Sequence, residues 1–217
     1  MLVLTFVGKG GSGKSSTAIN TAVLAMLGGY RVGVVDTDPQ ASVQLWQAYR
    51  GQKDIPLQMC RPAEVRELVD QARRSQFDLV VIDTPPQMDR STAVTMALAD
   101  LVCVMTRPGA FDLSVTLSRT RLAERQGVNH AVIINLAPPV RNGVDAPLVA
   151  DLRDALKINE AACWHGQLTS RVAVPAALAN GQGIAEFAPE GLAAAEARRL
   201  WAALERRFEE KLHAIEA

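Results

Sequence analysis

The chain has 217 residues, 48% of them hydrophobic, and its 23 Lys+Arg balance 23 Asp+Glu. Length and apolar content fit a single globular domain over 1–217, and the zero net charge lacks the basic excess of a dedicated nucleic-acid binder, so affinity for DNA or a membrane has to come from a local patch. Cys60, Cys103 and Cys163 are far apart and form no Cys-x-x-Cys pair, so no disulfide framework or zinc site is indicated.

In chain order the pattern begins with LVLTFV (2–7), an apolar run that leads straight into Gly8-Lys9-Gly10-Gly11-Ser12-Gly13-Lys14-Ser15. That run is too short for a signal peptide, and no segment approaches the ~20 apolar residues of a membrane span, so a reducing cytoplasm is the expected setting. A helical stretch follows (15–28), then a strand (31–36), two helices (41–50 and 62–74) and a strand (77–83). Next come a helix (88–98), a strand (100–106) that buries Cys103, a helix (111–126) and a strand (130–135). The strands are rich in Val, Ile and Leu without apolar–polar alternation, as in strands covered on both faces. The expected fold is therefore α/β: a doubly wound, mainly parallel sheet flanked by helices and joined by right-handed crossovers. The chain closes on EGLAAAEARRLWAALERRFEEKLHAIEA, an amphipathic helix. Its Leu200, Trp201, Leu204, Phe208, Leu212 and Ile215 share a stripe roughly 120° wide that suits core packing. Glu outnumbers Lys and Arg in this helix, which argues against a membrane-surface role.

Gly8-x-x-x-x-Gly13-Lys14-Ser15 is the P-loop pattern, and its place between a strand and a helix gives it a mechanism. Its glycines let backbone N–H groups turn inward around phosphate oxygens, and the helix N-terminus adds positive dipole. Gly10, Gly11, Ser12, Gly13, Lys14, Ser15 and Ser16 form the expected nucleotide cradle, with Lys14 reaching the β- and γ-phosphates and the Ser15 hydroxyl on Mg²⁺. Lys9 starts before the glycine pair and cannot easily fold back onto phosphates that its own backbone surrounds. It is either a solvated lysine at a loop start or a cation acting in trans on a second subunit's nucleotide, as an arginine finger does.

Asp83 ends an apolar strand before Pro85-Pro86, where ligands gather in open α/β sheets, and can hold Mg²⁺ through its water shell. Asp36 and Asp38 close the second strand and point to one side if the strand continues through both. Asp38 can instead cap a helix starting near Pro39. Asn135 carries both donor and acceptor for purine recognition, or starts the turn before LAPP. His130, His165 and His213 join no cluster and read as ordinary surface or core residues.

KGGSGKSS (9–16) resembles the signature of the deviant Walker A ATPases, the family of ParA and MinD, in which the early lysine crosses the interface of an ATP-sandwich dimer. VVDTDPQAS (34–42) is similar to the family's D-x-D-P-Q segment, FDLVVIDTPP (77–86) to its Walker B strand, and VIIN (132–135) to the strand whose Asn meets adenine. RVAVPAALANGQGIAEFAP (171–189) is similar to the ParA-type tail. The resemblance implies ATP and Mg²⁺ as cofactors, with Ser15, Asp36 and Asp83 at the metal. It implies catalytic roles for Lys9, Lys14 and Asp38, the last positioning or deprotonating the attacking water, and places Asn135 at the base. It further implies a slow ATPase switch: an ATP-dependent homodimer that binds DNA nonspecifically and is released by a ParB-like or other small activating partner. The task would be partition or positioning of DNA or a protein cargo, in the cytoplasm and on the nucleoid of a bacterium. Without an N-terminal helix-turn-helix the sequence groups with the small ParA proteins. Arg171, Arg198, Arg199, Arg206 and Arg207 are the candidate DNA contacts, against a solvated helix face in which Arg206 pairs with Glu210. A MinD-like membrane-associated ATPase and a metabolic P-loop ligase resembling dethiobiotin synthetase are the alternatives. Scarce cysteine argues against the iron–sulfur relatives.

Overall fold

The computed structural model describes residues 1–216, with side chains through Arg207. The strands β1 (Leu2–Gly8), β2 (Val32–Asp36), β3 (Leu57–Met59), β4 (Leu79–Asp83), β5 (Leu101–Thr106) and β6 (His130–Ile134) form one sheet. All pairs are parallel, in the order β3-β2-β4-β1-β5-β6. Every residue of β1 is buried, with Leu2, Leu4 and Phe6 in one apolar cluster and Val3 and Val7 in others. Period-two geometry explains this: alternate side chains of a central strand enter opposite cores.

The helices are α1 (Lys14–Leu27), α2 (Ser42–Arg50), α3 (Val65–Arg74), α4 (Arg90–Met96), α5 (Ala110–Arg125), α6 (Pro147–Ile158), α7 (Ala173–Ala179), α8 (Ile184–Phe187) and α9 (Leu192–Glu216). Helices α1 and α9 pack together over the Leu2–Leu4–Phe6 face, where Ala193, Ala194, Ala197, Leu200, Trp201 and Leu204 are buried. The Trp201 ring meets Tyr30 edge-on at 5.7 Å. Leu200, Trp201 and Leu204 thus face the core as the stripe requires, while Phe208, Leu212 and Ile215 lie outside the described side chains. Among the described residues no helix is long and apolar enough to cross a membrane.

Two elements escape the sequence pattern. Strand β3 is only three residues long, too short for any periodicity, and is held at the sheet edge by its pairing with β2. Helix α6 starts with Pro147 in its first turn and buries Val149, Leu152 and Leu156. Beyond β6, residues 162–168 follow its open edge: Val132 N–H donates to Ala162 O, and the Trp164 and Leu168 amides donate to Val132 O and Ile134 O at 2.9 Å. An edge covered in this way cannot template pairing with another chain. The links from β1 to β2 and from β4 to β5 leave neighbouring strands in opposite directions, which opens a crevice at their carboxyl ends.

Candidate nucleotide-binding site

That crevice holds the glycine-rich loop. Gly13 caps α1 at φ 83°, a backbone conformation that favours glycine, and a Cβ there would press on the Asn135 amide. Gly8 is equally constrained, since a Cβ would meet the Met105 carbonyl at 2.6 Å. The Lys14 side chain is buried beside the loop, where its ammonium makes a long 3.5 Å contact to Lys9 O. Burial lowers its pKa, Asp83 and Asp38 oppose that shift, and Arg119 adds to it.

Asp36 and Asp83 are register partners on adjacent strands and are both fully buried. Burial pushes the Asp83 carboxyl up to about 7, drawn back by the Ser15 hydroxyl, pushed on by Asp36, and balanced further by Lys14 and Asp38. Ser15 influences it without a bond of normal geometry, for among the described residues neither Asp83 oxygen has a hydrogen-bond partner. A buried carboxylate left orphaned beside a P-loop hydroxyl fits a divalent cation, which would complete both groups. Among the described residues no three of His, Cys, Asp and Glu converge as a metal cage, so such an ion would draw its other ligands from phosphate and water.

Asp36 is engaged differently. Its Oδ1 accepts from Asp38 N at 2.9 Å and its Oδ2 from Val43 N at 3.2 Å, so it fastens the β2–α2 loop onto the start of α2. Burial still raises its pKa against these bonds. Strand β2 ends at Asp36, so strand alternation does not set the direction of Asp38. Nor does Asp38 cap α2, which begins at Ser42 with Ala41 in the cap position. Instead Asp38 Oδ1 accepts from Gln40 N at 2.9 Å in a local turn, and the residue lines a cavity with Gly10, Lys14 and Ser15.

Asn135 is also tied to the protein. Its Nδ2 donates to Ser12 O at 2.8 Å and its Oδ1 accepts from Leu136 N at 2.8 Å, so its amide locks the phosphate loop to the end of β6. It still borders a mostly apolar cavity of about 500 Å³ that runs from Gly11, Gly13 and Ser16 to Leu168–Val172, Pro175 and Ala197. A cavity of that size, continuous with a phosphate loop, suits a nucleoside. Sequence reasoning missed its walls. The buried Glu196 of α9 accepts from Thr169 N at 2.8 Å, Thr169 Oγ1 at 2.9 Å and Arg171 Nη2 at 2.9 Å, and so holds one rim. Arg171, a candidate DNA contact, is therefore engaged at the cavity rim. Arg198 donates to Pro189 O at 2.6 Å, while Arg199, Arg206 and Arg207 are exposed on α9.

Two further cations went unnoticed in the sequence. Arg119 of α5 is buried and donates to Pro86 O at 2.8 Å, and among the described residues it has no carboxylate partner. Arg107, at the end of β5, approaches Asp112, as does Lys9 at 3.8 Å. His130 sits near Glu124 at 3.7 Å, away from this site.

A strand, a glycine-rich loop and a helix that begins with Lys14-Ser15, facing a buried strand-end aspartate, define a P-loop nucleotide-binding protein. The chain belongs to the CobQ/CobB/MinD/ParA nucleotide binding domain family (CbiA), whose pattern matches residues 3–184. It is 34% identical over 140 residues to the maintenance of carboxysome distribution protein A of Gloeobacter kilaueensis, covering 64% of each chain and thus just under two thirds of that relative. It is 27% identical over 163 residues to the protein ParA of Rhizobium radiobacter, covering 68% of this chain and 72% of the other. In fold it is similar to the septum site-determining protein MinD of Pyrococcus horikoshii, solved with Mg-ADP. That match has a TM-score of 0.74 at 16% identity, over 100% of this chain and 98% of the other.

Proposed function

We propose that this chain is a ParA-type ATPase switch that binds ATP and Mg²⁺, closes a sandwich dimer on ATP, and opens it on hydrolysis. The observation that carries this reading is the contrast between its two loop lysines. Lys14 is buried against its own phosphate loop, whereas the Lys9 side chain is 40% exposed, which leaves it open to a second copy. Lys14 and the loop N–H groups bind the triphosphate, and Asn135 keeps the loop in shape through Ser12. Ser15 and Asp83 are the residues that would hold Mg²⁺, whose charge offsets that of the phosphates. Asp36 braces the loop that carries Asp38, whose Oδ2 is left to orient a water toward the terminal phosphate. That water's oxygen bonds to phosphorus as the bond to ADP breaks, and its proton passes to Asp38 or to the departing phosphate.

The names of the relatives favour positioning work, and the exposed α9 arginines favour DNA as the surface. A cargo of either kind, a protein assembly or a plasmid, fits a dimer that a small partner discharges. The test uses Asp38→Ala protein with a nonspecific duplex and Mg-ATP, Mg-ADP or no nucleotide, and light scattering for mass. A dimer that binds DNA only with ATP is expected. A dimer indifferent to DNA moves the switch to a membrane or protein surface, and a monomer in every state returns the metabolic-ligase reading.

A further inference from the structure

Three charged side chains meet beside the phosphate loop, around the first turn of α5. The Asp112 side chain is 10% exposed, and two cations lean on it. Lys9 Nζ lies 3.8 Å from Oδ2, while Arg107 Nε and Nη2 reach Oδ1 at 3.4 and 3.3 Å. Arg107 Nη2 is also 3.4 Å from Oδ2, and all four contacts are long, since charge-assisted N–H···O bonds close to ~2.7–2.9 Å when well formed. One carboxylate shared by two cations also leaves a positive charge uncompensated. Both cations stay accessible, with side chains 40% and 36% exposed for Lys9 and Arg107. Arg107 Nη1 flanks the loop itself, 3.5 Å from where a Cβ on Gly11 would stand. Next to Asp112 in the same first turn of α5, Phe111 is 85% exposed.

We propose that Arg107 is a second phosphate-binding cation, which acts with Lys9 on the terminal phosphates of the nucleoside triphosphate held by a second copy of this chain. The inference rests on the sandwich-dimer reading and names a residue which that reading does not require. Asp112 gathers both cations and releases them to the more highly charged triphosphate. The exchange is easy because the bonds given up are long and the planar guanidinium fork suits phosphate oxygens better than a shared carboxylate. The Phe111 ring is then covered by the incoming copy.

The test measures dimerisation in an Asp38→Ala background, by sedimentation with Mg-ATP or Mg-ADP, alongside ADP affinity at concentrations where the protein is monomeric. Arg107→Ala is expected to weaken the ATP dimer at least tenfold while ADP affinity changes less than twofold. Arg107→Lys should recover only part of that loss, because a point charge lacks the fork. Asp112→Asn should tighten the ATP dimer severalfold and leave the ADP sample monomeric. Should Arg107→Ala fold poorly, Arg107→Gln keeps a polar hydrogen-bonding side chain and loses the charge. An ATP dimer of parental strength in the Arg107 variants would overturn the inference alone. Equal losses of ADP affinity and dimerisation would also overturn it, by placing Arg107 on its own nucleotide. An Asp38→Ala parent that never dimerises would instead bring down the switch reading and this inference together.

Discussion

At the carboxyl ends of β1 and β4 the charged groups are buried and short of partners, whereas along α9 they are exposed or already paired. Lys14, Asp83 and Arg119 are each less than a tenth exposed, yet among the described residues neither Asp83 oxygen nor Arg119 Nε has a hydrogen-bond partner. On α9 the reverse holds. Glu196 is fully engaged with Thr169 and Arg171, and Arg198 reaches a backbone carbonyl. Desolvating a charge without a partner is costly, and such a cluster persists where a ligand of opposite charge completes it. Surface cations carry no such demand, and each must be judged by what it touches.

Breaking the phosphate end should have the largest effect. Lys14→Ala removes the cation proposed to face the phosphates and should weaken nucleotide binding by about 3 kcal/mol, or on the order of a hundredfold. Titration with a fluorescent nucleotide checks this, and an affinity within threefold of the parent would place the phosphates elsewhere. The next effect is on stability and comes from Asp83. Its carboxyl is raised from an ordinary 3.8 to about 7, so between those values the folded protein keeps a proton that the unfolded chain releases. Stability of the nucleotide-free protein from this group is therefore full below about pH 4, falls as pH rises toward about 7, and is level above. Asp83→Asn should remove that slope and stabilise the nucleotide-free protein at pH 8 by about 2 kcal/mol. Urea unfolding at several pH values measures it, and parallel curves for variant and parent would show that Asp83 is ionised throughout.

The same contrast decides what the sequence reveals. The P-loop is legible because φ of +73° at Gly11 and +83° at Gly13 leaves few residue choices, and because a strand and a helix must flank it. The central strands are legible because both faces are buried, and their apolar runs show it. β3 is not, since three residues at an edge carry no period. Helix α6 left a usable signal in Pro147 and the Val149, Leu152 and Leu156 spacing. Asn135 shows a different limit. Its type suits both a base and a carbonyl, and only the chain crossing at β6 brings it to Ser12. Arg107, Arg119 and Asp112 lie near the loop because β5 pairs with β1, which is a tertiary fact that no local spacing encodes.

A smaller effect tests the paired side of the comparison. Glu196 bonds a backbone amide, a hydroxyl and Arg171 at the rim of the nucleoside-sized cavity. Glu196→Ala leaves those donors without an acceptor and should lower stability by about 2 kcal/mol. Arg171→Ala should cost less, about 1 kcal/mol, because its charge is partly open to water. Both variants are expected to loosen nucleoside binding, read as a lower affinity for ADP. If Arg171→Ala instead leaves stability and ADP affinity unchanged but reduces DNA binding, its bond to Glu196 is incidental and it belongs with the surface cations.

Arg199 and Arg206 give the smallest effect on the fold and the sharpest test of the surface. Both are exposed and seven positions apart, so they share one face of α9. Reversing both to Glu should change unfolding free energy by no more than about 0.5 kcal/mol, as for surface sites without special contacts. DNA binding by the proposed ATP-bound dimer should nevertheless fall at least tenfold. Two lost phosphate contacts per protomer would also flatten the slope of log affinity against log salt by about 4 in a dimer. The slope matters more than the affinity. A fold defect would lower binding at every salt concentration alike, whereas loss of phosphate contacts must change how binding depends on salt. An unchanged slope would take α9 off the DNA and leave its outer face as a solvated side of a core helix.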